Sequence, residues 1–193
     1  LQELRDARGG DSNLNQLVDL LPDNTSRGLR GQAEVAAAAF AAGVAVSANL
    51  NIGGFDTHGN HDFNQSRRLT QLLEGVDQLW TEIERQGLEE QVTVIVGSDF
   101  GRTPFYNDNR GKDHWNVTSM MFMGAGIRGN RVVGATDDHV EARPINPETL
   151  AADANGIILA PQHIHQSLRA LAAVNNDLRG QFGIVEPTLD LFS

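Results

Sequence analysis

Apolar residues along the chain recur with helical spacing in several stretches. Between residues 62 and 86 they stand three and four positions apart, which predicts an amphipathic helix that stops at Gly87. The alanine-rich residues 31–42 predict another helix, which ends at Gly43. Residues 148–156 and 161–174 also show helical patterns, and a polar helical lead-in runs from residue 1 to about residue 21.

Runs of β-branched residues predict strands on either side of the long helix. Residues 44–52 form the first run, and residues 92–97 form a second that is typical of a central strand covered on both faces. A strand, a helix and a strand in succession predict a right-handed parallel crossover. Residues 118–123 and 131–133 are shorter strand candidates. We therefore expect one domain over residues 1–193, of the α/β class, with a mainly parallel sheet.

Composition narrows the range of partners. The chain has 193 residues, of which 40% are hydrophobic and 21% charged, as in ordinary soluble domains. A net charge of -10 argues against nucleic acid and anionic membranes as partners, because a polyanion would be repelled. No apolar run is long enough for membrane insertion. The start at Leu1, with neither Met nor a signal pattern, predicts the carboxyl-terminal part of a longer chain.

Four acidic and histidine residues follow the two predicted strands. Asp56 and His58 come after the first strand, Asp99 ends the second, and His114 lies in the loop beyond. Because the chain has no cysteine, a metal would be bound through oxygen and imidazole nitrogen, which suit a divalent cation. We expect the four side chains to converge at one sheet edge. An Asx-type turn with a surface histidine explains Asp56 and His58 equally well.

Other polar residues have simpler explanations beside the functional ones. Arg102 and Thr103 follow Asp99 and could bind an anion, Arg102 through a forked pair of hydrogen bonds, although a surface ion pair is an equal alternative. His163 and His165 lie two apart at a predicted helix start, which favours capping or surface roles.

Four segments resemble the bacterial DUF1501 family, a sulfatase-like branch of the alkaline phosphatase superfamily. In chain order they are GGFDTHGN, VTVIVGSDFGRTPFYN, GKDHW and GAGIRGNRVVGATDD. The resemblance covers about residues 33–150. It implies a three-layer α/β/α sandwich with a mainly parallel sheet and a metal site at the carboxyl ends of the strands. Relatives use that site to hydrolyse phosphate or sulfate monoesters.

The resemblance also assigns roles to single residues. Asp56 and His58 resemble the first metal-binding pair, with His61 as an alternative to His58, while Asp99 and His114 resemble two further ligands. Phe100 stands where many relatives have another metal-binding histidine, so we expect at most one tight site for Zn, Ca, Mg or Mn. The segment that carries the nucleophile has no counterpart upstream of residue 33, and we expect the nucleophile to lie outside this chain.

The resemblance implies a metal-dependent hydrolase of phosphate or sulfate esters, with a small anionic ester as substrate and Arg102 as anion-binding residue. The alternative is a non-catalytic, degenerate domain that serves as a metal-stabilised binding or structural module in an envelope assembly. That module would act as an oligomer or with an envelope partner protein. Either function implies a periplasmic or exported protein.

Overall fold

The chain forms two compact units in the computed structural model, which describes residues 12–174 and 188–192. The first unit contains the residues up to 92 and the turn 106–113, and the second contains residues 93–105 and those from 114 onward. The lead-in helix predicted for residues 1–21 falls partly outside the described residues. Its described part, residues 12–20, forms helix α1.

Two helices of the first unit confirm the periodicity of the sequence. They are α2, Gly28–Ala41, and α3, His61–Arg85, and they pack against each other. Gly43 and Gly87 follow the two helix ends with φ angles of 67° and 69°, a left-handed conformation that glycine adopts without strain. At the end of each helix, the N–H of the residue after the glycine donates to a carbonyl of the last turn at 3.0 Å, which completes a Schellman motif.

Small side chains form the contact between α2 and α3. Ala33, Ala37 and Ala38 of α2 are fully buried, and Ile83 of α3 is buried with them. A Cβ on Gly75 would overlap the side chain of Leu29. The alanine-rich stretch is therefore a packing surface, whose small residues let the two helices approach closely.

The predicted strand over residues 44–52 does not form. The segment bends at residues 44 and 46 and pairs with no strand among the described residues, and the side chain of Val46 is fully exposed. Its anchor is a side chain of α2: the Gln32 amide donates to the Asn51 carbonyl at 2.9 Å and accepts from the Asn51 N–H at 2.8 Å. The β-branched pattern therefore did not produce a strand here, and the main-chain groups of Asn51 bond to Gln32 instead.

The second unit contains two short sheets, each of two antiparallel strands. Strand β1, Thr93–Val96, pairs with β4, Met121–Gly124, and strand β2, Gly101–Arg102, pairs with β3, His114–Trp115. The strands at 92–97 and 118–123 were thus predicted close to their places. The candidate strand at 131–133 lies in an irregular segment instead.

The prediction of a mainly parallel α/β/α sandwich is wrong for this chain. Both sheets are antiparallel, and β1 pairs with β4 instead of with residues 44–52. The apolar run predicts a strand that is buried on both faces, yet only Val94 of β1 is buried and Ile95 is exposed. A strand with one buried face fits an antiparallel pair, which needs no second layer of helices.

The core of the second unit lies against helix α4, Pro161–Leu171, which confirms the helix predicted there. Ile145, Leu189 and Phe192 are buried in this core. The helix predicted at 148–156 is wrong, because the turn that begins at Asn146 ends at Leu150, whose left-handed φ of 59° does not continue a helix. No helix among the described residues has the length and hydropathy needed to cross a bilayer.

Candidate metal centre

The His58 ring lies between two carboxylates in the first unit. Its Nε2 atom is 3.0 Å from Oδ1 of Asp56, and its Nδ1 atom is 2.7 Å from Oδ1 of Asp113. Asp56 and His58 belong to the extended segment that leads into α3, whereas Asp113 ends the turn 106–113. Two of the four predicted ligands are therefore neighbours, together with an aspartate that was not predicted.

Asn107 organises the turn that delivers Asp113. Its Nδ2 donates to Oδ1 of Asp113 at 3.0 Å and to the His58 carbonyl at 3.2 Å. Its Oδ1 accepts the N–H groups of Asn109 and Gly111, at 3.0 and 2.9 Å. One amide thus binds the turn, the carboxylate and the backbone of the histidine, which sets the position of Asp113 relative to His58.

Backbone hydrogen bonds join the turn to the segment on which His58 lies. The Lys112 N–H donates to the Thr57 carbonyl at 3.1 Å, and the His61 N–H donates to the Arg110 carbonyl at 2.9 Å. Gly111 lies so close to the His58 backbone that a Cβ there would overlap the His58 carbonyl. The chain therefore needs glycine at this position.

The two short contacts of His58 cannot both be hydrogen bonds of a neutral ring. A neutral imidazole has a single N–H, so only one of its nitrogens can donate to a carboxylate. The shorter contact, to Asp113, assigns that hydrogen to Nδ1. The lone pair on Nε2 then faces an oxygen of Asp56, and the two repel unless a proton or a metal cation lies between them.

The geometry fits a divalent cation at Asp56 and His58. Neighbouring ligand atoms of an octahedral cation, each about 2.1 Å from it, lie roughly 3 Å apart, close to the observed 3.0 Å. The contact between His58 and Asp113 matches the carboxylate–histidine arrangement that orients metal-binding histidines. Both ligand side chains are accessible, with exposed fractions of 68% for Asp56 and 46% for His58.

His61, the alternative to His58, makes a different contact. Its Nδ1 lies 2.7 Å from the Thr57 hydroxyl, and its ring meets Tyr106 edge-on with 6.4 Å between centroids. The Tyr106 hydroxyl donates to Oδ1 of Asp62 at 2.7 Å. This hydrogen bond to a carboxylate raises the pKa of Tyr106 above 10.0, because ionisation would break it.

The remaining predicted residues lie in the second unit. Asp99 is exposed between β1 and β2, and Arg102 of β2 pairs in register with His114 of β3. The ring of Phe100 stacks on His114 with 3.9 Å between centroids, and the Arg102 guanidinium lies 5.6 Å from the Phe100 centroid. The convergence of Asp99 and His114 with Asp56 stays a prediction.

Three further residues were considered in the sequence, and the structure shows the contacts or exposure of each. Thr103, considered with Arg102 for anion binding, is buried and donates to the Phe105 carbonyl at 2.8 Å. His163 has the capping role favoured by its position, since its Nδ1 accepts the Ala160 N–H at 3.0 Å. His165 is exposed.

The family of the chain follows from comparison with known proteins. The sequence model of a family described as "Protein of unknown function (DUF1501)" matches residues 22–161, well over half of the chain. The chain belongs to the DUF1501 family. No curated protein and no solved structure gives a significant match. Membership of DUF1501 is thus confirmed, and the assignment to the sulfatase-like proteins stays a prediction.

Proposed function

We propose that this DUF1501 chain supplies a divalent-cation site for the hydrolysis of phosphate or sulfate esters. Asp56 and His58 would bind the cation, and Asp113 would fix the orientation of His58. Arg102 is the proposed binding residue for the anionic group of a small ester, and Asp99 and His114 stay predicted ligands. The nucleophile is not assigned to a residue of this chain.

The observation that carries the proposal is the position of the His58 imidazole between two carboxylates. A surface Asx turn, the simpler explanation of Asp56 and His58, requires neither the contact of Nε2 with Asp56 nor the contact of Nδ1 with Asp113. A cation-binding pair, in contrast, requires the Nε2 lone pair and an Asp56 oxygen to point at one common position. The net charge of -10 also favours cations over anions near the chain.

The protein groups at this site have separate tasks. Asp113 accepts the Nδ1 hydrogen and so keeps the Nε2 lone pair directed at Asp56, while Asn107 holds Asp113 in place. Asp56 supplies negative charge at the exposed end of the pair. A bound divalent cation would neutralise charge that develops on the ester oxygens. The chain thus contributes binding and orientation, which are the parts of such a reaction that a scaffold must provide.

The first test is the affinity of the chain for Zn²⁺ by isothermal titration calorimetry. We expect one tight site in the wild type, and we expect H58A and D56A to lower Zn²⁺ affinity by about 100-fold or more. This loss exceeds the one typical of residues that only orient a metal ligand. H139A is a matched control, because His139 is another exposed histidine close to aspartates. Unchanged affinity in H58A, or an equal loss in H139A, would refute the site. D99A and H114A test the other predicted ligands in the same way.

The second test measures ester hydrolysis by the native protein that contains this chain. Turnover of p-nitrophenyl phosphate or sulfate should disappear with EDTA, return with the cation, and stay absent in H58A. Reduced turnover in R102A, at unchanged Zn²⁺ affinity, would support the anion-binding role of Arg102. Equal turnover with and without EDTA would contradict metal-dependent hydrolysis.

The second candidate function is a metal-stabilised binding or structural module of a bacterial envelope assembly, in an exported protein. The open position of the cation pair favours it, since catalytic sites usually shield their charges from water and the Asp56 side chain is 68% exposed. A module of this kind would show a higher thermal midpoint with Zn²⁺ and no turnover of either ester.

A further inference from the structure

The segment from Asp56 to His58 directs its side chains to opposite sides. Asp56 and His58 are exposed, while Thr57 between them is only 4% exposed. The Thr57 N–H donates to the Phe55 carbonyl at 2.9 Å, which closes a tight turn at Asp56 and fixes the backbone between these side chains. Whatever holds the Thr57 side chain therefore also determines how the two ligands are presented.

His61 is the main partner of Thr57. The Thr57 hydroxyl lies 2.7 Å from His61 Nδ1, and its other acceptor, the Phe55 carbonyl, is at 3.4 Å. The shorter contact is of full strength and the longer one is weak. The Thr57 hydroxyl and His61 Nδ1 therefore share the stronger hydrogen bond, whose direction is set by the ring nitrogen of His61 that carries the hydrogen.

His61 itself is firmly placed. It is the first residue of α3, a helix of 25 residues that packs against α2, and its backbone N–H donates to the Arg110 carbonyl at 2.9 Å. The Thr57 backbone is tied to the same turn, because its carbonyl accepts the Lys112 N–H at 3.1 Å. The hydrogen bond between Thr57 and His61 thus connects the ligand segment to the start of helix α3.

We propose that Thr57 and His61 form a clasp that positions Asp56 and His58 for cation binding. The clasp rests on the cation site proposed above and adds two positioning residues to it. Neither residue of the clasp binds the cation. Their hydrogen bond holds Thr57 inward, and the backbone on either side then holds Asp56 and His58 outward, 3.0 Å apart.

The test compares three threonine variants by Zn²⁺ calorimetry on the whole chain. T57V keeps the shape of the side chain but removes the hydroxyl, and we expect affinity to fall about 10- to 100-fold, as for other residues behind a metal ligand. T57S restores the hydroxyl and should restore the affinity. T81V is the matched control, because the Thr81 hydroxyl bonds only within α3, to the Asp77 carbonyl at 3.0 Å.

Further measurements separate positioning from a general loss of structure. Far-ultraviolet circular dichroism should show the same helix content in T57V and the wild type, and the imidazole ¹⁵N shifts of His61 should change in T57V and not in T57S. In the H61Q background, the further change T57V should lower Zn²⁺ affinity only a little, because both changes break the same hydrogen bond.

Each outcome has a defined meaning. Wild-type affinity in T57V, or equal losses in T57V and T57S, would overturn the clasp and leave the cation site intact. A wild-type chain that does not bind Zn²⁺ would overturn the cation site, and the clasp with it.

Discussion

Replacement of Gly111 by alanine tests whether the turn 106–113 controls the metal centre. A Cβ on Gly111 would lie 2.5 Å from the Gly59 nitrogen and closer still to the His58 carbonyl, whereas real Cβ contacts stay above 3.0 Å. The turn must therefore withdraw by about 1 Å from the segment that carries His58. No side-chain rotation can relieve this overlap, because the atoms concerned belong to the backbone.

The size of the effect follows from the hydrogen bonds across this contact. The bond from Lys112 to Thr57, now 3.1 Å, would stretch beyond hydrogen-bonding distance, and the bond from His61 to Arg110, now 2.9 Å, would weaken. At about 1 kcal/mol for each bond, with some strain added, we expect G111A to lower the free energy of unfolding by roughly 2–4 kcal/mol. Because Asp113 follows the turn, Zn²⁺ affinity should fall about 10- to 100-fold.

Urea unfolding by circular dichroism gives the stability, and calorimetry gives the Zn²⁺ affinity. Amide hydrogen exchange at Lys112 and His61 should rise in G111A, since these N–H groups lose their partners. G129A is the control, because no described atom lies within 4 Å of a Cβ at Gly129, and its stability should stay within about 0.5 kcal/mol of the wild type. If G111A behaves like G129A in all three measurements, the close packing of the turn on His58 is refuted.

Other parts of the chain give three further predictions. I83A removes a fully buried side chain between α2 and α3 and should cost about 2–5 kcal/mol in urea unfolding; a cost below 1 kcal/mol would contradict the packing. Tyr106 is the chain's single tyrosine, so its ultraviolet titration should give a pKa above 10.0 that returns toward 10.0 in D62N; no change would exclude the Asp62 hydrogen bond. F100A should move the ring protons of His114 downfield in NMR spectra, because the stacked ring at 3.9 Å shields them; unchanged shifts would exclude the stack.

The helices could be predicted because their signals are local. The three- and four-residue spacing of apolar positions predicted α3, the alanine-rich run predicted α2, and Gly43 and Gly87 predicted the ends of these two helices. The sheets could not be predicted in the same way. An apolar run such as Val92 to Val96 indicates where a strand lies, but its partner is chosen by distant residues, here Met121–Gly124.

The metal centre shows the same division between local and distant information. Asp56 and His58 share one extended segment, so their spacing alone was enough to pair them. Asp113, which holds the other side of the ring, is 55 residues away from His58, and Asn107 is 49 residues away. The sequence contained one signal for them: the run NDNRG at 107–111 has the composition of a tight turn, and a carboxylate just after such a turn is fixed in direction.

An exposed histidine and two exposed carboxylates keep a defined geometry here because backbone groups hold the segments that carry them. Surface ion pairs by themselves are worth little, since long side chains lose entropy and water screens the charges. In this chain the turn and the ligand segment are joined by main-chain hydrogen bonds at Lys112 and His61, and Asn107 bonds the His58 carbonyl itself. Loss of one of these bonds should therefore reduce cation affinity more than removal of a neighbouring surface charge. The variants G111A and T57V probe this directly, because they leave every charged group of the site in place.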